Sequence, residues 1–437
     1  MLDASPPEPT RRPHHQPKDE SSPEHPPKKT SPPNLNEEST PTMPLAPLTT
    51  PKKQLSTQEQ LRYGRHFTLP GIGEEGQRRL ANAKVLSIGA GGLGSPLLLY
   101  LSAAGVGTLG IIDHDTVEYS NLQRQIIHNN NTINTPKTHS AQQRIHELNP
   151  HTNVHTYHEK LNANNAENII KNYDLIIDGS DNFATKYLTN DICEHLNKPL
   201  IWGSISQYTA QISLFWAHPK HLNTTQHTQG TTLRDLYPQI PAADSIPTCA
   251  QSGVLGSLCG TIGSIMATEA IKLITGVPEP LLGKLWMYDS RTHTTKTLNI
   301  TPDPHRTPTP LTETLQQIQQ STPQPLNVPE IALHEINQHP EHYTLIDVRE
   351  HHERNNGHYQ DHAHIPHQEL LTLINNTPNP LENINNTLTK HLKNNTTPVF
   401  YCASGKRSAL IVHTLKKQQP HITALSLTGG FNQTPIK

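Results

Sequence analysis

Gly89-Ala90-Gly91-Gly92-Leu93-Gly94 follows the short apolar run Val85–Ile88 and leads into Ser95–Ala104, a stretch with helical apolar spacing. Glycines at a strand-to-helix junction permit a tight turn and let backbone N–H groups approach a phosphate at the helix N-terminus. Asp113 closes the next apolar run, roughly 20 residues on, where a carboxylate can hold ribose hydroxyls. These features fit NAD as well as ATP. The following residues separate the two. Asp113-His114-Asp115-Thr116-Val117-Glu118 runs into Ser120-Asn121-Leu122-Gln123-Arg124-Gln125, then Pro136-Lys137 and later Gly179-Ser180-Asp181-Asn182. A dinucleotide oxidoreductase needs no cations clustered at the phosphates. An enzyme that splits the α–β bond of ATP does, because negative charge builds on the departing pyrophosphate. Arg124 and Lys137 are the candidate cations, and Asp181 the candidate ligand for a Mg²⁺ that neutralises the phosphates further.

Cys402 is the second reactive position. It ends the apolar run Pro398-Val399-Phe400-Tyr401 and opens Ala403-Ser404-Gly405-Lys406-Arg407-Ser408, which leads directly into a helical stretch. A loop curled in this way turns successive N–H groups inward, and the helix start adds partial positive charge. Both favour a thiolate and a bound persulfide or sulfur anion. The other cysteines are Cys193, Cys249 and Cys259, with no close pairs, so the spacing is not that of a disulfide framework and the thiols are expected free. Cys193 and Cys259 read as core residues.

Elements that would carry these residues alternate along the chain. Strands are expected at Val85–Ile88, Thr108–Ile112, Leu175–Asp178 and Leu200–Trp202; helices at Ser95–Ala104, Thr138–Leu148 and Thr185–Leu196. That alternation predicts an α/β fold with a mostly parallel sheet covered by helices. Ser56 reads as the N-cap of a first helix, with Glu59 three residues on. A second, smaller α/β set over 326–437 has strands at Tyr343–Val348 and Pro398–Cys402 and a helix at Ser408–Lys417. Thr301–Pro310 lacks apolar periodicity, so 301–325 is expected to be a linker between the sets. Fourteen of the first 51 residues are Pro, and residues 1–55 are expected to be disordered. The chain has 437 residues and a net charge of −2, which gives no electrostatic reason to bind nucleic acid or an anionic membrane. Val254–Thr268 is shorter than the roughly 20 apolar residues a membrane span needs. The N-terminus lacks the basic-then-apolar order of a secretory signal. A cytoplasmic protein without a transmembrane helix is the expectation.

The ordered set Gly89–Gly94, Asp113, Asn121-Leu122-Gln123-Arg124-Gln125, Lys137 and Asp181-Asn182 resembles the MoeB/ThiF family, relatives of the ubiquitin-activating enzymes. Arg62-Tyr63-Gly64-Arg65 and Leu69-Pro70-Gly71-Ile72-Gly73 are similar to that family's start, and the resemblance covers 56–300. It implies a Rossmann-like domain that adenylates the C-terminal Gly of a small ubiquitin-like sulfur carrier. The implied ATP-binding set is Gly89, Gly91, Gly92, Gly94, Asp113, Ser120, Asn121, Leu122, Gln123, Arg124, Lys137, Asp181 and Asn182. It further implies a homodimer in which Arg65 reaches the partner's triphosphate. Ile246–Gly256 is similar to the segment that carries the family's acyl-accepting or resolving cysteine, here Cys249.

The loop from Cys402 to Ser408 looks like that of a rhodanese, as do Leu345-Ile346-Asp347-Val348-Arg349-Glu350, Gly357-His358, His364-Ile365-Pro366 and Leu427-Thr428-Gly429-Gly430. A Cys-to-Arg loop also occurs in related phosphatases, but the Asp-Val-Arg start favours rhodanese. Lys437 follows soon after the Gly-Gly, so a shortened closing helix is expected. This resemblance implies a persulfide on Cys402, loaded by a cysteine desulfurase or thiosulfate. Many MoeB/ThiF members carry two Cys-x-x-Cys pairs for structural zinc. The corresponding stretches here are Leu233–Pro238 and Thr301–His305, so no zinc is expected. His218, His221 and His227, and the histidines from His351 to His367, read as surface residues. The alternatives are an NAD-dependent oxidoreductase with a regulatory rhodanese module, an ATP-dependent dehydratase on modified tRNA, and a non-catalytic scaffold.

Overall fold

Short runs of Val, Leu and Ile become strands buried on both faces because helices cover both sides of the sheet they form. A computed structural model describes residues 45–52, 54–219, 229–241, 253–321, 326–355, 357–359, 363–376, 396–418, 420 and 422–431. Its first sheet has eight strands. They are β1 (Lys84–Ile88), β2 (Thr108–Ile112), β3 (Asn153–Tyr157), β4 (Leu175–Asp178), β5 (Leu200–Ser206), β6 (Thr209–Phe215), β7 (Lys284–Asp289) and β8 (Thr294–Asn299), in the order β3-β2-β1-β4-β5-β6-β7-β8. The first five in that order are parallel and the last three pair antiparallel. The chain runs outward from β1 to β3, then returns to β4 on the other side of β1. The strand order therefore reverses at the carboxyl end of β1, the place where open α/β sheets bind ligands.

The anticipated helices form as α4 (Gly94–Ala103), α5 (Lys137–Leu148) and α7 (Phe183–His195). Thr57–Arg62 forms α1, with a capping box: the Glu59 amide donates to Ser56 Oγ at 3.2 Å, and the Ser56 amide to Glu59 Oε2 at 2.7 Å. Order begins earlier than Ser56, however. The Leu48 amide donates to the Leu273 carbonyl, and Thr49 and Arg79 exchange hydrogen bonds, so residues 45–52 are already tied to the domain. Leu45 and Leu48 pack on the core and supply the apolar anchor that the Pro-rich composition hid.

The helix Gly256–Thr275 extends beyond the stretch judged too short for a membrane span, and its twenty residues are long and apolar enough for one. Leu258, Ile262, Met266, Ala270 and Ile274 on it are instead buried in the core. At Gly263 an added Cβ would stand 2.5 Å from the Leu93 carbonyl, which is how this helix and α4 lie so close.

The stretch 301–325 departs from the expected linker. Leu311–Ser321 is a helix packed on α7, and Arg306 reaches into buried carboxylates. Arg306 pairs with Glu194 and, at 3.1 Å, with Asp235; Arg234 pairs with Asp191 at 2.7 Å, and Thr314 donates to the same carboxylate at 2.7 Å. The Asp303 amide also donates to Asp235. These two segments are the ones in which the resembling family carries its cysteine pairs; here opposite charges and hydroxyls draw them together. Thr301–Pro310 has no apolar periodicity to announce this docking, whereas Leu311 and Ile318 of the helix beyond it pack on the core at helical spacing.

The second sheet has β9 (Glu330–Ile331), β10 (Tyr343–Asp347), β11 (Ala363–His364), β12 (Thr397–Tyr401) and β13 (Leu425–Leu427). Their order is β11-β10-β12-β13-β9, all parallel, with the helix Lys406–Gln418 starting just past β12.

Breaking one side of a buried ion pair leaves the other charge unpaired, at a cost of about 3 kcal/mol or more. Arg306→Ala is therefore expected to lower the unfolding free energy of the first domain by about 3 kcal/mol. Urea denaturation followed by tryptophan fluorescence measures this selectively, since Trp202, Trp216 and Trp286 all lie in that domain.

Candidate active site

The carboxyl end of β1 opens onto the glycine loop. Gly89 has a positive φ of 94°, and at Gly94 a Cβ would stand 2.2 Å from the Gly89 carbonyl oxygen, so only glycine lets α4 start against that turn. The Ala90 amide donates to Asp113 Oδ2 at 2.9 Å, and the Asp115 amide to Asp113 Oδ1 at 2.9 Å. Asp113 thus fixes the loop to the end of β2. The amides of Gly91, Gly92 and Leu93 have no acceptor among the described residues.

Beside this loop lies a polar cavity of about 390 Å³, lined by His114, Asp115, Thr116, Glu118, Asn121, Arg124, Gln125, Lys137 and Asp181. Lys137, the first residue of α5, is buried and donates to Asp115 Oδ2 at 2.8 Å. Burial alone would raise the Asp115 carboxyl, but the Lys137 ammonium overrides it and holds that carboxyl below its ordinary range. Arg124 is steadied through its guanidinium by the Ser120 carbonyl at 3.1 Å. Asp115, Glu118 and Asp181 bring hard oxygen donors to the same cavity as the two cations, a set suited to Mg²⁺ and phosphate together. Asp181 is exposed, and the Glu118 carboxylate accepts from Ser120 Oγ at 3.2 Å.

Of the residues named from sequence, Asn121, Arg124, Lys137 and Asp181 line the cavity. Asn121 accepts from the Glu118 amide, and Asn182 caps α7 by accepting from the Thr185 amide, so both also shape the backbone. Ser120, Leu122 and Gln123 do not line it. The Gln123 carbonyl instead abuts Gly256, where a Cβ would stand 2.3 Å away. Arg65, exposed on the short helix Gly64–Phe67 (α2), is not among the lining residues, and Cys249 lies outside the described residues. Sequence reading overlooked Asp115, Glu118, Gln125 and His128 as site residues. The Asp-x-Asp spacing at 113–115 was the available signal for the first. His128 gave none, because in a histidine-rich chain its type carries little weight.

His128 is buried between Ser140 Oγ (2.8 Å from Nδ1) and the Ala90 carbonyl (3.0 Å from Nε2). A carbonyl only accepts, so Nε2 carries the proton and Nδ1 accepts from Ser140. Burial pushes the His128 pKa down to about 4, the nearby Lys137 charge adding to the effect against the Ala90 hydrogen bond.

In the second sheet, Cys402 is buried just past β12, its Sγ 3.8 Å from Ser408 Oγ. Ser408 donates to the Gly405 carbonyl at 3.0 Å and closes the loop on itself. Arg407 is held by both carboxylate oxygens of Glu353, each at 2.6 Å, and its charge also acts on Cys402. The Phe431 amide donates to the Cys402 carbonyl at 2.8 Å, and at Gly430 a Cβ would meet that carbonyl at 2.4 Å. Arg349 pairs with Asp347, donates to the Gly357 carbonyl and lies 4.1 Å from the Phe431 ring centroid. The landmark residues Asp347, Arg349, Gly357 and Gly430 thus brace the loop from behind. Residues past Phe431, where the shortened closing helix was expected, lie outside the described residues, as do His221 and His227. Cys193 is wholly buried, and that burial pushes its thiol up. Cys259 packs under the glycine loop, its sulfur 2.8 Å from where a Gly92 Cβ would stand.

The chain matches the ThiF family over residues 63–309 and the rhodanese-like domain over residues 329–434. It is 42% identical over 398 residues to the probable adenylyltransferase/sulfurtransferase MoeZ of Mycobacterium tuberculosis, covering 89% of this chain and 95% of that one. Over 235 residues it is 44% identical to the sulfur carrier protein adenylyltransferase of Thermus thermophilus, covering 54% of this chain and 85% of that one. Over 246 residues it is 40% identical to the SAMP-activating enzyme E1 of Haloferax volcanii, covering 56% and 85% respectively.

The buried, neutral His128 links stability to pH. Its folded pKa lies below the unfolded one, so the unfolded chain binds the extra proton as pH falls below 6.5. The stability it contributes is complete above pH 6.5 and is lost progressively down to about pH 4. At 1.36 kcal/mol per unit this is about 3 kcal/mol. Unfolding free energies from urea titrations of wild type and His128→Gln, compared from pH 7 to pH 4, are expected to show wild type losing about 3 kcal/mol more than the variant. Parallel curves would show that His128 is not held neutral.

Proposed function

Because the chain belongs to the ThiF family and carries a rhodanese-like domain beyond it, we propose that it activates and then thiolates the C-terminus of a ubiquitin-like sulfur carrier. The observation that carries this reading is the joining, in one chain, of a polar cavity walled by Arg124, Lys137 and carboxylates to a cysteine loop closed by Ser408 and flanked by Arg407. Relatives named as adenylyltransferase/sulfurtransferase and as sulfur carrier protein adenylyltransferase support it.

In the first half-reaction the carrier's terminal Gly carboxylate attacks the α-phosphorus of ATP. The bond to the β-phosphate oxygen breaks, giving an acyl-adenylate and pyrophosphate. The amides of Gly91, Gly92 and Leu93 face the phosphates from the loop. Lys137 exchanges its contact with Asp115 for a phosphate oxygen, and Arg124 meets the charge that grows on the leaving group. Asp181 would hold Mg²⁺, which when bound neutralises phosphate charge. Arg65 of a neighbouring subunit in a homodimer completes the cationic wall, in keeping with its position outside the cavity of its own chain.

In the second half-reaction the terminal sulfur of a Cys402 persulfide, as its anion, attacks the acyl carbon and AMP leaves. The product is an acyl disulfide bridging carrier and Cys402. A thiolate, from Cys249 or a small thiol, then attacks the Cys402 sulfur. The S–S bond breaks, the carrier departs as a thiocarboxylate, and the new disulfide is reduced by further thiol. A cysteine desulfurase or thiosulfate reloads the persulfide.

The two halves separate by mutation. Arg124→Ala is expected to abolish carrier-dependent ATP–pyrophosphate exchange while leaving thiosulfate sulfurtransfer intact, and Cys402→Ala to do the reverse. Mass spectrometry of a recombinant Gly-Gly-ended carrier, incubated with enzyme, Mg·ATP and thiosulfate, reads the full reaction as replacement of a terminal oxygen by sulfur. If neither exchange nor the thio-acid is seen with any such carrier, this assignment is wrong.

A further inference from the structure

His128 is not among the residues that line the cavity, yet it touches both the glycine loop beside it and α5, whose Lys137 lines it. On one side it holds the carbonyl of Ala90 in the glycine loop. On the other it meets Ser140, one turn along α5 from Lys137. The two peptide groups that meet at Ala90 are therefore each held: the one before it through the Ala90 amide by Asp113, the one after it through the Ala90 carbonyl by His128.

A trans peptide is planar, with its C=O and following N–H directed oppositely. Drawing the Ala90 oxygen inward to Nε2 turns the Gly91 N–H outward, away from the histidine. Gly91 has no Cβ and can otherwise rotate at little cost, so the sequence alone leaves that amide undirected. A fixed donor stabilises developing charge without having to reorient during the reaction, which is the source of its advantage over a mobile one.

We propose that His128 is a positioning residue for nucleotide chemistry, aiming the Gly91 amide through the Ala90 carbonyl and setting the spacing between the glycine loop and Lys137 through Ser140. The inference rests on the adenylation reading of this site and adds to it a residue that touches neither nucleotide nor carrier.

The test uses the full-length protein and three variants. His128→Ala removes both contacts. His128→Gln keeps an N–H donor at the reach of Nε2. Ser140→Ala removes only the tie to α5. ATP–pyrophosphate exchange, with the same Gly-Gly-ended carrier, gives kcat and the KM for ATP, and calorimetry with Mg·ATP counts the competent sites. The expected result is a fall of at least about 30-fold in kcat per competent site for His128→Ala, since an amide aimed at growing charge acts chiefly on the transition state. His128→Gln is expected to recover most of that loss, and Ser140→Ala to show a smaller loss carried mainly by KM.

A merely structural histidine would reduce the number of competent sites and leave kcat per site unchanged. That outcome in His128→Ala, or an unchanged KM for ATP in Ser140→Ala if His128→Ala does not fold, overturns the proposal. If wild type binds Mg·ATP but shows no exchange, the carrier reading fails separately. In that case a loss of affinity of about tenfold or more in His128→Ala still supports the positioning role, and unchanged affinity overturns it.

Discussion

A backbone approach that only glycine permits underlies the loop beside the polar cavity. With a Cβ 2.2 Å from the Gly89 carbonyl, any other residue at position 94 would push α4 away from the end of β1. That displacement would carry away the unpaired amides of the loop. The consequences spread further, because α4 also packs closely on Gly256–Thr275, and the start of that helix abuts the Gln123–Arg124 backbone. Loop, cation-bearing segment and core helix are thus set by a few contacts too tight for side chains. Packing at crystalline density transmits such constraints instead of absorbing them.

The two reactive centres share one physical device. Each lies where a parallel strand ends and a helix begins, with a short loop between them. Helix starts favour negative charge of any chemical kind. What differs is the residue set around the loop. Near Gly89–Gly94 it includes two cations and several carboxylates, suited to polyphosphate with a divalent ion. Near Cys402 it includes a nucleophilic sulfur and one arginine clamped by Glu353, suited to a smaller anion.

Charge works beside apolar packing in holding the segment around residues 301–321 to the first domain. Asp191, Glu194, Asp235, Arg234 and Arg306 are buried or nearly so, and they tie down the segment around residues 301–321 together with Leu311 and Ile318, which pack on the core. Buried pairs are weak evidence for stability when compared with apolar substitutes, but they are strict about geometry. They bring the residue pairs 232–235 and 303–306 into a single register, with Thr232 also donating to Asp235.

Sequence by itself determined the alternating elements, the strand-to-helix position of both loops, and the identity of Arg124, Lys137, Asp181 and Cys402 as candidate chemistry. Those features are local: apolar period, glycine placement and caps act within a few residues, so they are written where they operate. Polar or short strands such as β3 and β8 escaped, since β8 is wholly exposed and has no apolar face to reveal it. The docking of 301–310 escaped as well, because the ion pairs of Arg306 leave no period. Only the tertiary structure decided that His128 grips the glycine loop, that Asp115 holds Lys137, and that Ser120, Leu122 and Gln123 stand outside the cavity their neighbours line. Each of these depends on residues far apart in the chain meeting at one end of a sheet, and spacing along the chain does not encode direction in space.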